Sequence, residues 1–545
     1  MLLDSGWMLR KLAVIGVFLL ALAPSAYLAW TLRAMPHLGY YHDDAIYWVS
    51  AQSLAAGHGY RIASLPGEPY QTKYPPLYPA LLVGIWKLNP QFPANLPWAT
   101  LFAWLMLPLY VWMMRALVRQ YGFSTREQAV LVLAAGLSPM AAVFSFSLMP
   151  ELLFMALFLA SIVLAERSSE DGSARWLPLL AGVCGGLAYL TKSAAAPLLL
   201  TAPLCFAFRK QFAKAGMFFG AMLPAVAAWQ WWSARHVSRS WDLVSLYYTN
   251  YVGFQKYNVP WRDLPLVMWH NLDGILRGAG TLLTFDVPIG SKHLERVVTV
   301  AAIAGCVRLA RRTRKLQYPA AALGVTALLL IWHYTPEQRL VFPLYPLLLM
   351  GLWTELGNVA KALRASWNKP ARADRVAARV GAGVLASFGL FLVFTTVFGL
   401  FFFLPDLFAS YRNDLEARRP AYQWIDENVP AQANVYAYDD PLLYLYTGRK
   451  SCALPIPTKL LFHDDQAGIH RLLVSIPDFA REQKLGYLLL TRGDFYRDLH
   501  EKGATQLWDA VDVNRAFVPR FQSPAVRVYQ FRGSGAAQAS LRSGL

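Results

Sequence analysis

This chain contains a series of apolar runs that approach the length needed to cross a lipid bilayer. No other feature of the sequence limits its possible folds as strongly. A hydrocarbon core of about 30 Å is spanned by about 20 helical residues, because each residue advances the helix by about 1.5 Å. Eleven runs approach this length, at 12–32, 96–118, 127–148, 150–165, 176–191, 194–208, 214–232, 294–310, 317–333, 340–358 and 380–404. Since backbone amides in lipid must bond within their own segment, these runs predict helices. The sequence therefore predicts a polytopic α-helical membrane protein with about eleven transmembrane helices.

Composition agrees with a membrane protein and argues against a nucleic-acid binder. Hydrophobic residues make up 56% of the 545 residues and charged residues only 15%, whereas soluble domains carry about 25% charge. The net charge is +18, but the basic residues lie in short clusters between apolar runs rather than on one soluble face. We therefore predict no nucleic-acid partner.

The basic clusters alternate along the chain and predict its orientation, because lysine and arginine favour cytoplasmic connections. Every second connection is basic, with clusters at 10–11, 115–126, 167–175, 209–214, 308–315 and 361–379. An inside N-terminus then places two long loops and everything after residue 405 outside. The first run lacks a small-residue cleavage site, so we interpret it as a retained helix rather than a signal peptide.

These signals divide the chain into three parts. Residues 1–405 form the predicted membrane domain, with outer loops at 34–95 and 233–293. Residues 406–532 alternate predicted helices with strands at 434–438, 486–491 and 526–531, which is typical of a small soluble α/β domain, here on the periplasmic side. Residues 533–545 are rich in Gly, Ala and Ser, and we predict that they are disordered.

Two adjacent carboxylates, Asp43 and Asp44, begin an amphipathic segment in the first outer loop. Carboxylates at a membrane surface are costly unless they are solvated, paired or bound to a cation. One of them is suited to be a general base while its neighbour holds a metal ion or orients the site. Aspartate is also a good helix N-cap, so a solvated acidic turn explains the pair equally well. The residues alone leave both interpretations open.

Further residues on the same side of the membrane are suited to a phosphate-bearing lipid. Lys73 and Tyr74 precede two prolines that stiffen an extended backbone, and Lys192 and Arg339 lie at outer helix ends. Each of these cations is suited to bind a phosphate, although anchoring a helix end at head-group level explains it as well. Glu151 opens an apolar run after a proline, which indicates either ordinary helix-start chemistry or a second acidic site residue.

Five segments of residues 10–360, taken in order, resemble the GT-C superfamily of membrane glycosyltransferases. The similarity is to the bacterial branch related to protein O-mannosyltransferases and the lipid A aminoarabinose transferase. It is carried by Asp43-Asp44-Ala45-Ile46-Tyr47, Lys73-Tyr74-Pro75-Pro76-Leu77, Met149-Pro150-Glu151, Leu190-Thr191-Lys192 and Arg339-Leu340-Val341-Phe342-Pro343-Leu344-Tyr345-Pro346. Thr72 stands where the aminoarabinose transferase has a glutamate, and Glu151 where the family often has an aspartate. These departures leave metal coordination open.

The resemblance implies an inverting enzyme that moves a hexose or pentose from a polyprenyl-phosphate donor to a lipid, glycan or protein acceptor. Asp43 is then the base, with Asp44 and Glu151 as further catalytic residues or ligands of a divalent cation. Lys73, Tyr74, Lys192 and Arg339 are then the donor phosphate site. Two other functions remain open: a lipid-linked sugar transporter or flippase, and a non-catalytic partner in envelope assembly. A transporter is disfavoured because the acidic residues lie near one face and no internal repeat is visible.

The tail holds further carboxylates that resemble a second site. Asp439 and Asp440 follow a predicted strand and precede a predicted helix, so we interpret them as capping and turn residues. His463, Asp464 and Asp465 lack a partner at metal-ligand spacing, and we interpret them as a solvated loop. We therefore expect a non-catalytic tail that shapes access of the acceptor to the membrane cavity.

Overall fold

A computed structural model describes residues 5–285, 287, 289–367, 369 and 371–532, with side chains from residue 12 onward. The segment 533–545, for which we predict disorder, lies outside the described residues.

Helices make up the described part of the membrane region, and each of the eleven apolar runs falls on a helix or a pair of helices. The helices are α1 Ser5–Thr31, α2 Asp43–Ala55, α3 Leu77–Leu88, α4 Leu96–Gln120, α5 Thr125–Gly136, α6 Pro139–Phe146, α7 Glu151–Ser168, α8 Leu177–Thr191, α9 Leu198–Phe208, α10 Phe212–His236, α11 Leu243–Tyr248, α12 Tyr251–Asn258, α13 Leu264–Thr284, α14 Lys292–Thr313, α15 Gln317–Leu330, α16 Gln338–Val341, α17 Tyr345–Trp367 and α18 Arg372–Phe398.

Several of these helices are long and apolar enough to cross a membrane. Five described segments meet both conditions, namely Leu12–Thr31, Leu96–Gln120, Phe212–His236, Gln338–Trp367 and Arg372–Asn428. A sixth span results if α5 and α6, which meet at 52°, are one bent span. Shorter apolar helices accompany them. The chain is therefore a multi-pass membrane protein, and the count of eleven spans stays a prediction.

Glycines bring the membrane helices into close contact. A Cβ on Gly305 of α14 would overlap the backbone of Gly351 on α17, and one on Gly182 of α8 would overlap the backbone of Phe218 on α10. Small residues of this kind let helix backbones approach in a membrane, where apolar burial gives little driving force between helices. The contact with α14 fixes α17 and, through it, the short helix α16 at its outer end.

The tail is joined to the membrane region by a continuous helix. α18 passes through a π-helical turn, Gly399–Phe403, into α19, so the predicted boundary at residue 405 lies inside a helix. Further helices follow α19 Leu404–Asn428: α20 Asp440–Thr447, α21 Thr458–Phe462, α22 Gln466–Val474, α23 Ile476–Glu482 and α24 Glu501–Val513. Five strands form one sheet: β1 Asn434–Tyr436, β2 Ser451–Cys452, β3 Leu485–Thr491, β4 Phe517–Gln522 and β5 Val526–Phe531.

The sheet has the order β2-β1-β3-β5-β4, in which β2, β1 and β3 are parallel and β5 and β4 antiparallel. The predicted strands at 434–438, 486–491 and 526–531 are confirmed as β1, β3 and β5. The sequence misses β2 because it has only two residues. It misses β4 because a proline and an arginine interrupt an exposed edge strand.

The tail packs on the first outer loop and shares a hydrophobic core with it. One cluster of buried side chains includes Tyr47 and Trp48 of α2 together with Leu442 and Leu443 of α20. The Ser451 amide donates to the Ser64 carbonyl at 2.8 Å. Lys450 forms an ion pair with Glu68. The tail and the first outer loop therefore lie on the same side of the membrane.

This packing allows a direct test of orientation with three exposed positions in a background without the native cysteines. Cysteines at His58 in the first outer loop and at Glu501 in the tail are expected to react together with an impermeant maleimide on intact cells. A cysteine at Asp171, in a predicted cytoplasmic connection, should react only after the membrane is permeabilised. Labelling of Asp171→Cys on intact cells, or of Glu501→Cys only after permeabilisation, would contradict the orientation.

Candidate active site

A cavity of about 590 Å³ opens where the first outer loop meets the second outer loop, the connection before α16 and the tail. Five of the seven predicted site residues line it: Asp43, Lys73, Tyr74, Lys192 and Arg339. The tail contributes Thr458, Leu461 and Phe462 of α21 to the same wall. Segments far apart in sequence thus converge on one space, as the shared sidedness of the motifs predicts.

Among the predicted carboxylates Asp43, Asp44 and Glu151, Asp43 is the one that lines this cavity. It is the first residue of α2, and its side chain is 18% exposed. The Tyr74 hydroxyl donates to Oδ1, and the Arg339 guanidinium donates to Oδ2 at 2.6 Å. Burial alone would raise the pKa of Asp43, but the charges of Arg339 and Lys73 hold it well below its usual range. Asp43 is therefore ionised at neutral pH.

Arg339 joins Asp43 to Glu151. Its Nε donates to Glu151 Oε1 at 2.8 Å, and the Lys192 ammonium donates to the same oxygen at 2.7 Å. The Glu151 side chain is only 1% exposed and does not line the cavity. Glu151 thus lies behind the wall as the counter-ion that holds two cations in place.

Lys73 is held differently from the other two cations. Its ammonium lies 4.3 Å from the ring centroid of Tyr247, 5.0 Å from that of Tyr251 and 5.1 Å from that of Tyr74. Among the described residues no carboxylate lies within salt-bridge distance of it. Burial lowers the pKa of Lys73 to about 8, although the charge of Asp43 opposes the shift. Lys73 is therefore a buried cation in contact with aromatic rings, and among the described residues it has no salt-bridge partner.

The aromatic wall around Lys73 is the part of the site that sequence reasoning misses. Tyr247 and Tyr251 lie in the second outer loop, where aromatic residues among charges predict only interfacial helices. Gln71 is also missed: its Oε1 accepts from the backbone amides of Lys73 at 3.0 Å and Tyr74 at 3.2 Å, and so shapes this segment. The tyrosines of the second outer loop are visible as a cluster in the sequence. Their contact with Lys73 of the first outer loop is not.

Asp44 lies behind the cavity wall. Its side chain is fully buried, and its oxygens accept from the backbone amides of Gly39 at 3.0 Å and Ala45 at 2.9 Å. Burial raises the pKa of Asp44 to about 7 against these two hydrogen bonds. Asp44 does not line the cavity, and its carboxyl group accepts hydrogen bonds from the backbone around the start of α2, so a catalytic role for Asp44 stays a prediction.

The carboxylates expected to hold a divalent cation do not fit one. Asp44 is taken by backbone amides and Glu151 by two cations. In the part of the chain that the structure describes, no group of three His, Cys, Asp or Glu side chains is close enough to share a metal ion.

The tail carboxylates are placed differently from what their sequence context predicts. Asp439 lies in a turn and is the N-cap residue of α20, as predicted, but its side chain makes no cap hydrogen bond and instead binds Arg418 and Arg497. Asp440 accepts from His42 Nε2 at 2.7 Å and from the Tyr248 hydroxyl at 2.8 Å. His463 and Asp464 are exposed, as the interpretation as a solvated loop predicts, and Asp465 caps α22 through the Gly468 amide.

No protein-family model and no curated protein sequence matches this chain. Solved structures do resemble it. ArnT from Cupriavidus metallidurans bound to undecaprenyl phosphate is 12% identical, with 98% of this chain and 99% of ArnT covered and a TM-score of 0.51. The archaeal oligosaccharyltransferase AglB from Archaeoglobus fulgidus, in complex with an inhibitory peptide and a dolichol-phosphate, is 13% identical, with 89% of this chain and 70% of AglB covered and a TM-score of 0.50. Both belong to the GT-C superfamily, and this chain shares their fold, as the resemblance to that superfamily predicts.

The buried position of Glu151 leads to a stability prediction. Glu151→Gln is expected to lower the free energy of unfolding by about 3–5 kcal/mol, because it leaves Lys192 and Arg339 without their shared counter-ion. Glu337→Gln is the matched control, since Glu337 is an exposed carboxylate of the same cavity. Denaturant unfolding of both variants in detergent measures the difference. Equal stability of the two variants would show that Glu151 is not the structural counter-ion.

Proposed function

We propose that this chain transfers a sugar from a polyprenyl-phosphate donor to a lipid, glycan or protein acceptor at the periplasmic face of a bacterial inner membrane. The observation that carries the proposal is one cavity in which an ionised aspartate faces three cations. The fold supports it, because ArnT is bound to undecaprenyl phosphate and AglB to a dolichol-phosphate in structures of the same fold. The tail then lies on the periplasmic side.

Lys73, Lys192 and Arg339 are the groups suited to bind the donor phosphate. A phosphate leaving group needs positive charge near the oxygen where negative charge develops. Lys73 has the greatest capacity to supply it, because its charge has no carboxylate partner among the described residues. Tyr74, which the sequence places with the phosphate ligands, has its hydroxyl on Asp43 and is better suited to orient the base.

Asp43 is the proposed general base. A carboxylate held by Arg339 and Tyr74 is a weak base, because both partners favour its ionised form. A donor phosphate that accepts hydrogen bonds from Arg339 would weaken the contact between Arg339 and Asp43. The pKa of the Asp43 carboxyl would then rise. The donor would thus activate the base that its own transfer requires.

The proposed chemical step takes place between the donor and the acceptor, and every supporting group comes from the protein. An acceptor O–H gives its proton to Asp43, and the acceptor oxygen forms a new bond to the anomeric carbon. The bond between this carbon and the phosphate oxygen breaks, and its electron pair stays on the departing polyprenyl phosphate. Attack opposite to the leaving group inverts the anomeric configuration, and the three cations stabilise the phosphate that leaves.

The role of Asp43 separates a transferase from a transporter or a non-catalytic assembly partner. Asp43→Asn is expected to reduce transfer by about 10²–10⁴-fold, the usual contribution of a general base, while retaining binding of polyprenyl phosphate. Product formation from labelled polyprenyl-phosphate sugars and binding of the lipid are measured on the same purified protein. Glu337→Gln serves as a control for loss of a cavity carboxylate. Full activity of Asp43→Asn would rule out Asp43 as the base.

The lowered pKa of Lys73 leads to a prediction about pH. The ammonium binds phosphate only when protonated, so kcat/KM for the donor is expected to fall as the pH rises above about 8. Lys73→Arg should move this fall to higher pH, because arginine stays charged. Lys73→Ala should remove it and lower kcat/KM by about ten- to a hundredfold, the loss of one charge-assisted hydrogen bond. An unchanged alkaline limb in Lys73→Arg would assign it to another group.

A further inference from the structure

The backbone immediately before Asp43 is in a rare conformation. His42 has φ 59° and ψ −48°, and the Asp43 amide donates to the Tyr41 carbonyl at 2.6 Å. This is a γ-turn of the positive-φ type, which is strained for a residue with a side chain. Such a conformation persists only where the surrounding structure holds it in place.

The contact that holds this turn comes from the tail. Asp440, the first residue of α20, is fully buried, and its Oδ1 lies 2.7 Å from His42 Nε2. The Tyr248 hydroxyl donates to the same oxygen at 2.8 Å. Ser451 Oγ donates to the Asp440 carbonyl at 2.6 Å, which ties α20 to β2 of the sheet. The Asp440 carboxylate is therefore fixed from its own domain and from the second outer loop.

The turn lies directly before two adjacent carboxylates that point in different directions. Asp43 points to Arg339 and Tyr74, whereas Asp44 points back to Gly39 and Ala45. Relaxation of the backbone at His42 would rotate the Asp43 peptide and move its carboxylate out of this arrangement. The side chain of His42 has no other hydrogen bond among the described residues, since its Nδ1 is buried without a partner.

We propose that Asp440 is a positioning residue for Asp43 and that it acts through His42. This inference rests on the proposed function, because it assigns the tail a part in orienting the catalytic base. The tail is then not a separate module above the membrane domain. The sheet of the tail holds α20 in place through Ser451, and α20 carries Asp440. The Asp440 carboxylate then holds the turn that orients the base toward the acceptor.

Steady-state kinetics of single and double variants test this proposal. Asp440→Ala and His42→Ala are each expected to lower kcat by about ten- to a hundredfold, the usual result of a small misplacement of a catalytic group. The donor KM should stay within about twofold, because the phosphate-binding cations are untouched. The double variant should be no slower than either single one, since both break the same contact. Asp464→Asn is the control, because Asp464 is an exposed tail carboxylate.

One further variant, Asp440→Asn, and the variant His42→Ala guard against trivial unfolding. Asp440→Asn keeps the size of the side chain and one acceptor oxygen, so it should give an intermediate kcat. His42→Ala leaves Asp440, Tyr248 and the tail intact, so its loss of activity reports the contact itself. An unchanged kcat in Asp440→Ala, or losses in the two single variants that multiply in the double variant, would overturn the positioning role.

Hydrogen exchange separates a failure of this inference from a failure of the proposed function. In Asp440→Ala the backbone amides of residues 39–47 are expected to exchange faster, while those of α7 and α8 stay as in the wild-type protein. If the wild-type protein transfers no sugar, the proposed function is wrong and the exchange still tests the contact. Unchanged exchange at 39–47 would overturn the proposal that Asp440 holds the turn.

Discussion

The structure depends on the pairing of Arg339 with two carboxylates at the ends of helices. Charged groups in this region are costly unless they are paired, and here the pairs form one continuous chain. Asp43 contacts Arg339, Arg339 contacts Glu151, and Glu151 contacts Lys192. These residues come from α2, α16, the start of α7 and the end of α8. The four segments must therefore meet for all of these charges to be paired.

The same residues bring more cations than carboxylates together, which suits the phosphate of the proposed function. Lys73, Lys192 and Arg339 face Asp43 and Glu151, so in this set the cations outnumber the carboxylates. The surplus charge is that of Lys73, which three tyrosine rings stabilise without neutralising it. A phosphate entering this cavity finds one cation without a carboxylate and another, Arg339, that can exchange one acceptor for a second. The arrangement favours an anion without a backbone rearrangement.

The tail belongs physically to this site, although the sequence predicts a separate domain. A continuous helix from α18 to α19 replaces a linker, and one hydrophobic cluster joins α2 to α20. Residues of α21 form part of the cavity wall, and Asp440 contacts the loop that carries Asp43. Regions joined by a shared core and a rigid helix do not move independently. Access to the cavity is therefore set by the membrane region and the tail together.

Several features of the fold and of the site depend on local composition, and these could be predicted from the sequence. Apolar length predicted the helices, alternation of basic clusters predicted a common side for the motifs, and the motifs singled out Asp43, Lys73, Lys192 and Arg339, which line one cavity. Runs of strand-forming residues also predicted the strands β1, β3 and β5.

Other features of the site depend on contacts between distant segments, and these are visible only in the folded chain. Adjacent residues at a helix start point in different directions, so sequence could not tell that Asp43 faces the cavity and Asp44 the backbone of its own loop. The tyrosines around Lys73 lie in another loop, and His42 meets Asp440 across 398 positions of the chain. No local pattern encodes such pairs, because they form only after glycines let the membrane helices pack and the tail closes on the first loop.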